Sequence, residues 1–223
     1  MRLRLLDLPL PIRCVVCGAG GGEELCAGCR ESLPLLEPPF CERCGAPTAW
    51  PVARCRECTG RRLAFASARA AVEYDDGVRR LVAGWKERGL RGLSREAAEL
   101  MVATVPPPKV SAVAFVPAER DRARRRGFHP AERLAAELGD RWGLPVCPLL
   151  ARTRYVRRQR GLALADRRRN VAGAFAPAAA APTRVALIDD VYTSGATVAA
   201  AASALRKAGA RRVEVLTFAR VVR

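Results

Sequence analysis

Long apolar runs are missing from this chain of 223 residues, and that absence excludes whole classes of protein. The longest stretch without a formal charge, 191–205, is interrupted by Thr, Ser and Gly and falls short of the ~20 apolar residues that a bilayer-spanning helix needs. Only Leu5 and Leu6 separate Arg4 from Asp7, whereas a signal peptide has an apolar region of roughly 7–15 residues. The sequence therefore predicts a soluble, cytoplasmic protein without membrane insertion.

Lysine is also scarce, although the chain is strongly basic. There are 39 Lys and Arg against 22 Asp and Glu, a net charge of +17, and only three of the basic residues are Lys. A GC-rich genome also raises arginine content, but it would spread the arginines evenly. Here residues 1–60 balance seven Arg with seven acids, whereas residues 120–169 hold fifteen Arg and five acids. This distribution favours a polyanionic partner, either nucleic acid or a polyphosphate.

Eight of the nine cysteines form four CxxC pairs within the first sixty residues. Each pair directs two thiolates at one metal ion, and Zn²⁺ is held by four such ligands in a tetrahedron. A disulfide framework needs an oxidising compartment, and a catalytic dithiol needs a single CxxC on a βαβ unit. We therefore predict two structural zinc ions. Three pairings of the motifs are possible and the sequential one is preferred. The predicted ligands are Cys14, Cys17, Cys26, Cys29, Cys41, Cys44, Cys55 and Cys58.

The pattern changes after about residue 62, where apolar runs alternate with helical segments. We expect a helix capped by Ser94 and helices beginning at Pro130 and Thr197. Strands that alternate with helices predict an α/β fold, a mainly parallel sheet with helices on both faces. The chain is therefore divided into a double-zinc domain, residues 1–62, and an α/β domain, residues 63–223. The predicted strands are 110–116, 144–149, 184–188 and 212–218.

The most informative segment is a buried strand that ends in Asp189 and Asp190 and continues into a Gly-containing turn and a helix. Open α/β sheets bind ligands at such a point. Backbone N–H groups and hydroxyls at a helix N-terminus suit a phosphate, and adjacent carboxylates suit a diol or the water shell of Mg²⁺. Together they indicate a ribose 5-phosphate. The predicted phosphate-binding residues are Thr193, Ser194, Gly195, Ala196 and Thr197.

Two other interpretations of this segment fit less well. Receiver domains also end a strand in paired aspartates, but that strand is their first, with most of the domain still to follow. Here only the last part of the chain follows Asp190. The turn also lacks the Gly-x-x-x-x-Gly-Lys motif of an NTP-binding P-loop. The ribose-phosphate interpretation is therefore preferred.

The segment closely resembles the signature of type I phosphoribosyltransferases, which bind phosphoribosyl pyrophosphate (PRPP) and Mg²⁺. Together with the four CxxC pairs, it resembles the ComF family of bacterial competence proteins over nearly the whole chain. This resemblance implies a type I phosphoribosyltransferase-like sheet behind the double-zinc domain. Further matches are Arg126-Gly127-Phe128 after Val116-Pro117, and Arg152, Gln159, Leu162, Arg167 and Asn170 leading to Gly173-Ala174-Phe175.

The resemblance also implies roles for individual residues. Asp189 and Asp190 would hold the ribose hydroxyls and Mg²⁺, and the turn after them would hold the 5-phosphate. Pro117 and Ala118 would belong to the pyrophosphate loop, and residues 152–173 would form a mobile loop that closes over the ligand. The implied loop contacts are Arg126, Gln159 and Arg167.

Two places depart from the family pattern. Glu119 stands in the pyrophosphate loop where the family has Val-Pro-Val-Pro, and an acid there would repel the ligand unless it points away or meets Mg²⁺. His129 and Pro130 replace the Asn-Gln of Arg-Gly-Phe-Asn-Gln. Both departures concern the pyrophosphate end and leave the 5-phosphate site intact.

Four side chains that often have functional roles are expected to be structural. Tyr74 is expected to pack at a strand end and Lys86 to be exposed, although residues 63–93 are also a candidate hood over an acceptor substrate. His129, the only histidine, is expected to be a loop residue. Trp50 is expected to cover the zinc repeat.

Three functions remain open. The resemblance implies a protein of natural transformation that handles incoming single-stranded DNA and carries a PRPP site; the arginines of 122–126 and 152–169 support it and predict salt-sensitive binding. The second is an active phosphoribosyltransferase that transfers phosphoribosyl to an unidentified nucleobase or amine. The third is a non-enzymatic protein whose zinc domain docks a DNA-uptake helicase or channel.

Overall fold

A computed structural model describes residues 12–118, 128–153 and 173–222. Within these ranges no helix is both long and apolar enough to cross a membrane. The strands are β1 (Ser67–Glu73), β2 (Ala112–Phe115), β3 (Leu150–Arg152), β4 (Phe175–Pro177), β5 (Arg184–Tyr192) and β6 (Arg212–Arg220). The helices are α1 (Ala27–Glu31), α2 (Asp76–Glu87), α3 (Leu93–Thr104), α4 (Pro130–Trp142) and α5 (Ala196–Lys207).

The central sheet consists of four parallel strands in the order β1–β6–β5–β2. β6 lies in the middle although it comes last of these strands along the chain, and its Leu216 is opposite Ile188 of β5. Because helices cover both faces of a parallel sheet, its strands are apolar on both sides, and all four residues of β2 are buried. The four carboxyl ends meet at one edge, where Asp189 and Asp190 lie.

Different elements cover the two faces of this sheet. On one face α2, α3 and α4 pack through buried side chains such as Trp85, Met101 and Leu134. On the other face α5 packs beside residues 41–65, with Leu205 and Phe65 in the same apolar cluster. The predicted α/β fold class, a parallel sheet with flanking helices behind a double-zinc region, is therefore confirmed.

Local chemistry explains where these helices begin and end. The Asp75 carboxylate accepts the Val78 N–H at 2.7 Å and caps α2. Pro130 is the first residue of α4, where a missing N–H costs nothing, and Gly143 ends this helix with φ of 64°. The predicted helices at Pro130 and Thr197 are confirmed to within one residue, since α5 begins at Ala196.

Three structural expectations were wrong. Ser94 does not cap α3: Gly92 precedes the helix, and Ser94 is buried inside its first turn. Residues 144–149 do not form a regular strand, because Pro145 and Pro148 supply no N–H to a ladder; Val146 makes one isolated bridge to Val113. Trp50 does not cover the zinc repeat, since it is 68% exposed.

The strands and helices named from the sequence do not include β1 and α2, although Tyr74 is expected at a strand end. β1 reads Ser-Ala-Arg-Ala-Ala-Val-Glu and carries few of the β-branched and aromatic residues by which a strand is recognised. Tyr74 follows it and packs against the core as expected. The division into domains at residues 1–62 and 63–223 stays a prediction, because the same two apolar clusters contain residues from both sides of that boundary.

Candidate functional site

The eight cysteines of the CxxC pairs form two clusters with the predicted sequential pairing. In each cluster all four sulfur atoms lie within 4.8 Å of one another. The Sγ separations include 3.6 Å between Cys41 and Cys58 and 3.4 Å between Cys44 and Cys55. Four sulfurs at Zn–S distances of ~2.3 Å around a tetrahedron are about 3.8 Å apart, so the thiolates fit zinc. The first cluster is Cys14, Cys17, Cys26 and Cys29; the second cluster is Cys41, Cys44, Cys55 and Cys58.

Glycine turns shape the knuckles of both clusters. Gly18 and Gly45 have φ of 77° and 70°, a region that L side chains rarely adopt. Their N–H groups bond the carbonyls of Cys14 and Cys41 at 2.8 Å and 2.9 Å. The Cys55 N–H also donates to the Cys41 sulfur at 3.2 Å. Such donors stabilise thiolate charge, which is what a tetrathiolate zinc site requires.

The acid pair lies at the carboxyl end of β5, where the sequence predicts it. Asp189 Oδ1 accepts the Asp190 N–H at 2.9 Å, and Asp190 Oδ2 lies 2.7 Å from Lys86 Nζ. Lys86 is therefore not exposed as expected: its side chain is 21% exposed and that of Asp190 is 13% exposed. The last turn of α2 brings the lysine to this edge. Because this helix was not predicted, the contact between Lys86 and Asp190 was not predicted either.

Burial changes the acidity of Asp189. Its pKa is raised to about 7, first by burial and then by the charge of Asp190, while Lys86 and Arg152 act in the opposite direction. Two adjacent carboxylates and one lysine thus share the site. The oxygen donors match the preference of Mg²⁺ and of sugar hydroxyls, and a bound cation or hydroxyl donor would favour the ionised form.

The turn after the acid pair offers unbonded backbone donors. Gly195 has φ of 71°, and a Cβ there would collide with the Tyr192 hydroxyl. Within the described ranges no acceptor bonds the N–H groups of Ser194, Gly195 and Thr197. They lie where α5 begins, so the helix dipole adds to their attraction for an anion. The arrangement suits one phosphate.

Two arginines connect the zinc region to this turn. Arg61 Nη2 donates to the Ser194 carbonyl at 2.7 Å. Arg220 is 1% exposed; it donates to the Cys44 carbonyl at 2.6 Å, and its guanidinium lies 4.8 Å from the centre of the Tyr192 ring. Sequence reasoning missed both residues, because the partners of Arg61 and Arg220 are 133 and 176 positions away along the chain.

The predicted pyrophosphate segment lies next to the acid pair. Val116 follows β2 directly, and its N–H bonds the Ile188 carbonyl at 3.0 Å. Arg152 donates to the Pro117 carbonyl at 3.3 Å, and the Ala118 N–H donates to the His129 imidazole. His129 thus positions this segment and also precedes α4. Arg152 was noted in the sequence only as a family match, and β3 brings it here.

Several predicted site residues lie outside the described ranges. They include the implied loop contacts and most of the two arginine clusters. Their roles therefore remain predictions. The residues concerned are Arg126, Gln159 and Arg167, together with Glu119, residues 122–126 and residues 154–169.

Comparison with known proteins supports the zinc assignment and the family resemblance. Residues 5–59 match the family model of the double zinc ribbon domain. The chain is 27% identical to competence protein F of Haemophilus influenzae, covering 93% of this chain and 96% of that protein. It is 26% identical to competence protein ComFC of Bacillus subtilis, covering 84% and 80%. The predicted resemblance to the ComF family is thereby confirmed.

Solved structures with detectable similarity include two enzymes. One is the glutamine PRPP amidotransferase of B. subtilis complexed with ADP and GMP, with 24% identity and a TM-score of 0.39; the match covers 56% of this chain and 26% of that one. The other is the orotate phosphoribosyltransferase of Aeropyrum pernix, with 22% identity and a TM-score of 0.33, covering 66% and 67%. This chain thus spans about a quarter of the amidotransferase.

Proposed function

We propose that this chain binds PRPP with Mg²⁺ at the carboxyl edge of its sheet and acts in natural transformation. The observation that carries the ligand is the acid pair of Asp189 and Asp190 beside the unbonded N–H groups of Ser194, Gly195 and Thr197. The diol on C2 and C3 and the phosphate on C5 of one ribose require this combination of acceptors and donors at one point of a fold.

Each part of the ligand is assigned to residues of matching chemistry. The turn from Thr193 to Thr197 takes the 5-phosphate. Asp189 and Asp190 accept from the ribose hydroxyls and hold Mg²⁺, which neutralises pyrophosphate oxygens when bound. Lys86 then exchanges its contact with Asp190 for one with the ligand. The Pro117–Ala118 segment lies against the pyrophosphate.

Phosphoribosyl transfer is a second candidate, favoured by the cation beside the pyrophosphate segment. In transfer the bond between C1 of the ribose and pyrophosphate breaks, and a lone pair of the nucleobase or amine forms the new bond to C1 while its proton passes to water. Arg152 lies against Pro117, where a positive charge stabilises the departing pyrophosphate. The acceptor pocket lies in the predicted hood, residues 63–93.

The role in transformation is proposed from the relatives, which are named competence proteins. In this role the chain would bind single-stranded DNA in the cytoplasm, in addition to PRPP. The positive charge of residues 120–169 would attract the DNA phosphates. A zinc region that docks a DNA-uptake helicase or channel is compatible with it, and the exposed Trp50 offers a contact of the kind that protein interfaces favour.

The ligand proposal is tested by calorimetric titration of the full chain with PRPP and Mg²⁺. Wild type is compared with Asp189→Asn/Asp190→Asn and with a matched control, Glu37→Gln/Asp140→Asn, which removes two exposed acids elsewhere. We expect binding by wild type and control, and at least a tenfold weaker affinity in the site variant, about 1.4 kcal/mol. Absence of heat from wild type would contradict PRPP as the ligand. Equal heat from all three proteins would contradict the assignment of Asp189 and Asp190 to the binding site.

The DNA proposal has a separate measurement. Fluorescence anisotropy of a labelled single-stranded oligonucleotide, recorded at several salt concentrations with and without PRPP, is expected to show affinity that falls steeply with salt. Salt-independent binding, or none, would contradict it and leave the PRPP result untouched. Release of pyrophosphate on adding candidate acceptors would separately establish transfer.

A further inference from the structure

Four arginines line a cavity at the edge of the sheet opposite the acid pair. Arg212 begins β6 and Arg211 precedes it, Arg206 lies in the last turn of α5, and Arg43 lies between Cys41 and Cys44. The cavity has a volume of about 460 Å³, within the range of small-molecule pockets. β6 has nine residues, so at ~3.3 Å per residue this cavity is separate from the proposed PRPP site.

Backbone carbonyls hold two of the guanidinium groups in place. Arg43 donates to the Leu63 carbonyl at 2.6 Å and to the Ala66 carbonyl at 3.3 Å. Arg206 donates to the Arg211 carbonyl at 2.8 Å. A carbonyl oxygen orients an arginine without cancelling its charge, so two of the four cations that line the cavity are held in place. Side chains that are already positioned lose less entropy when a ligand binds.

Carboxylates neutralise only part of this charge. Arg212 Nε lies 2.6 Å from Glu214 Oε1. Among residues 12–118, 128–153 and 173–222, no carboxylate forms an ion pair with Arg43, Arg206 or Arg211. Like charges around one cavity repel one another, and a bound anion would turn that repulsion into attraction.

The lining indicates the chemical class of the anion. Arginine forks match phosphate oxygens in pairs, and four of them surround one cavity instead of following a groove, as a nucleic-acid strand would require. The aromatic ring in the wall, that of Phe65, is 1% exposed and presents no face on which a base stacks. We propose that this cavity binds a small anion with two or more phosphates, at a site distinct from the acid pair.

The test uses inorganic tripolyphosphate, which has neither ribose nor base, in calorimetric titrations of the full chain without added Mg²⁺. The cavity variant is Arg206→Gln/Arg211→Gln. The matched control, Arg80→Gln/Arg133→Gln, removes two exposed arginines from α2 and α4. We expect affinity to fall about tenfold or more in the cavity variant and to stay within about twofold in the control. No binding by wild type, or equal losses in both variants, would overturn the proposal.

Two further arms protect the interpretation. The Arg211 side chain makes no hydrogen bond to the described residues. If the double variant unfolds, the single variant Arg211→Gln replaces it. This variant is also expected to weaken tripolyphosphate binding. A single-stranded oligothymidylate is titrated in parallel. If the cavity variant loses the oligonucleotide but keeps tripolyphosphate, a nucleic-acid site replaces the one proposed. The part of PRPP and Mg²⁺ binding that Asp189→Asn/Asp190→Asn abolishes is expected to be unchanged in the cavity variant, so the outcome does not depend on the proposed function.

Discussion

The two cysteine clusters follow one sequence plan but differ in their surroundings. In the first cluster only Cys14 is buried and Cys17 is exposed, whereas in the second cluster Cys41, Cys44 and Cys58 are all buried. The first lies among residues of α2 and α3, and the second lies under α5 and the strands on the opposite face of the sheet. Two clusters with the same plan of cysteine pairs therefore make contacts with different elements of the fold.

The first cluster supports the helix that carries Lys86. Val15 packs so closely on Gly84 of α2 that a Cβ at Gly84 would collide with it. Nearby, Arg30 pairs with Glu96 and Glu99 of α3 at 2.6 Å and 2.9 Å. Lys86, which pairs with Asp190, lies two residues after Gly84 on the same helix. The contact between Val15 and Gly84 therefore helps to position Lys86.

The second cluster supports the turn 193–197, the proposed phosphate-binding turn. Arg61 reaches the Ser194 carbonyl, and Arg220 joins Cys44, Glu57 and the Tyr192 ring. The two clusters therefore support different halves of the proposed ligand site. The first supports the helix that carries the partner of Asp190, and the second supports the turn proposed to bind the phosphate.

Removing one zinc ligand from each cluster tests the difference between them most directly. In Cys44→Ser we expect the free energy of unfolding to fall on the order of 4 kcal/mol, because the residue is buried and the substitution removes a metal ligand from the core. In Cys17→Ser, at the exposed cluster, we expect a smaller loss. Denaturant unfolding with zinc quantification measures both. Equal losses would show that the two clusters are energetically equivalent.

The arginine that links the second cluster to β5 should give the next largest effect. Arg220→Met breaks a buried ion pair and leaves the Cys44 carbonyl without its donor, and we expect a loss of about 3 kcal/mol in unfolding free energy. Arg212 and Arg220 both lie on β6. Arg212→Met removes a half-exposed ion pair with Glu214 and should lower the unfolding free energy by less than about 1 kcal/mol. Similar unfolding curves for the two variants would contradict a special role for Arg220.

Changing Arg61 tests whether the zinc region supports the turn 193–197, on the premise that the chain binds PRPP. Arg61→Ala removes one charged donor to the Ser194 carbonyl, and we expect the Kd for PRPP to rise about tenfold with little change in unfolding. Arg62→Ala, at the exposed neighbour, is the control and should leave the Kd unchanged. If calorimetry finds the same Kd in both, the turn does not depend on the zinc region.

The smallest expected effect concerns the acid half of the site and is read from pH. Asp189 has a pKa of about 7, so its carboxyl gains a proton as the pH falls through that value. PRPP affinity should then fall, because a protonated acid neither holds Mg²⁺ nor accepts as strongly. Lys86 lowers this pKa. Lys86→Met should therefore move the midpoint of the affinity profile to higher pH, and Arg80→Met should leave it in place.

Asp189→Asn separates this step from the titration of the ligand's own phosphates. The part of the profile that belongs to Asp189 should disappear in that variant, whereas the phosphate part should remain. An unchanged profile would mean that another group controls the pH dependence.

The sequence predicted those features whose residues are close together along the chain. The cysteine pairs and the strand–acid–turn–helix segment each lie within a short stretch, so spacing alone reveals them. Lys86, Arg61 and Arg220 escaped prediction because their partners are brought near only by the fold. The alanine-rich β1 and the following α2 carried a weak signal, and missing α2 led to the wrong expectation for Lys86.

The position of β6 between β1 and β5 has a consequence for biosynthesis. β1 ends at Glu73 and β6 begins at Arg212, so the ribosome makes β1 long before β6, the strand that pairs with it and joins it to β5. The cysteine clusters close early through contacts between nearby residues, whereas the sheet waits for pairings of long sequence separation, which form slowly. The cysteine clusters can therefore form before the sheet is complete, and a chaperone that met the nascent chain would find an unfinished sheet beside cysteines already placed to bind zinc.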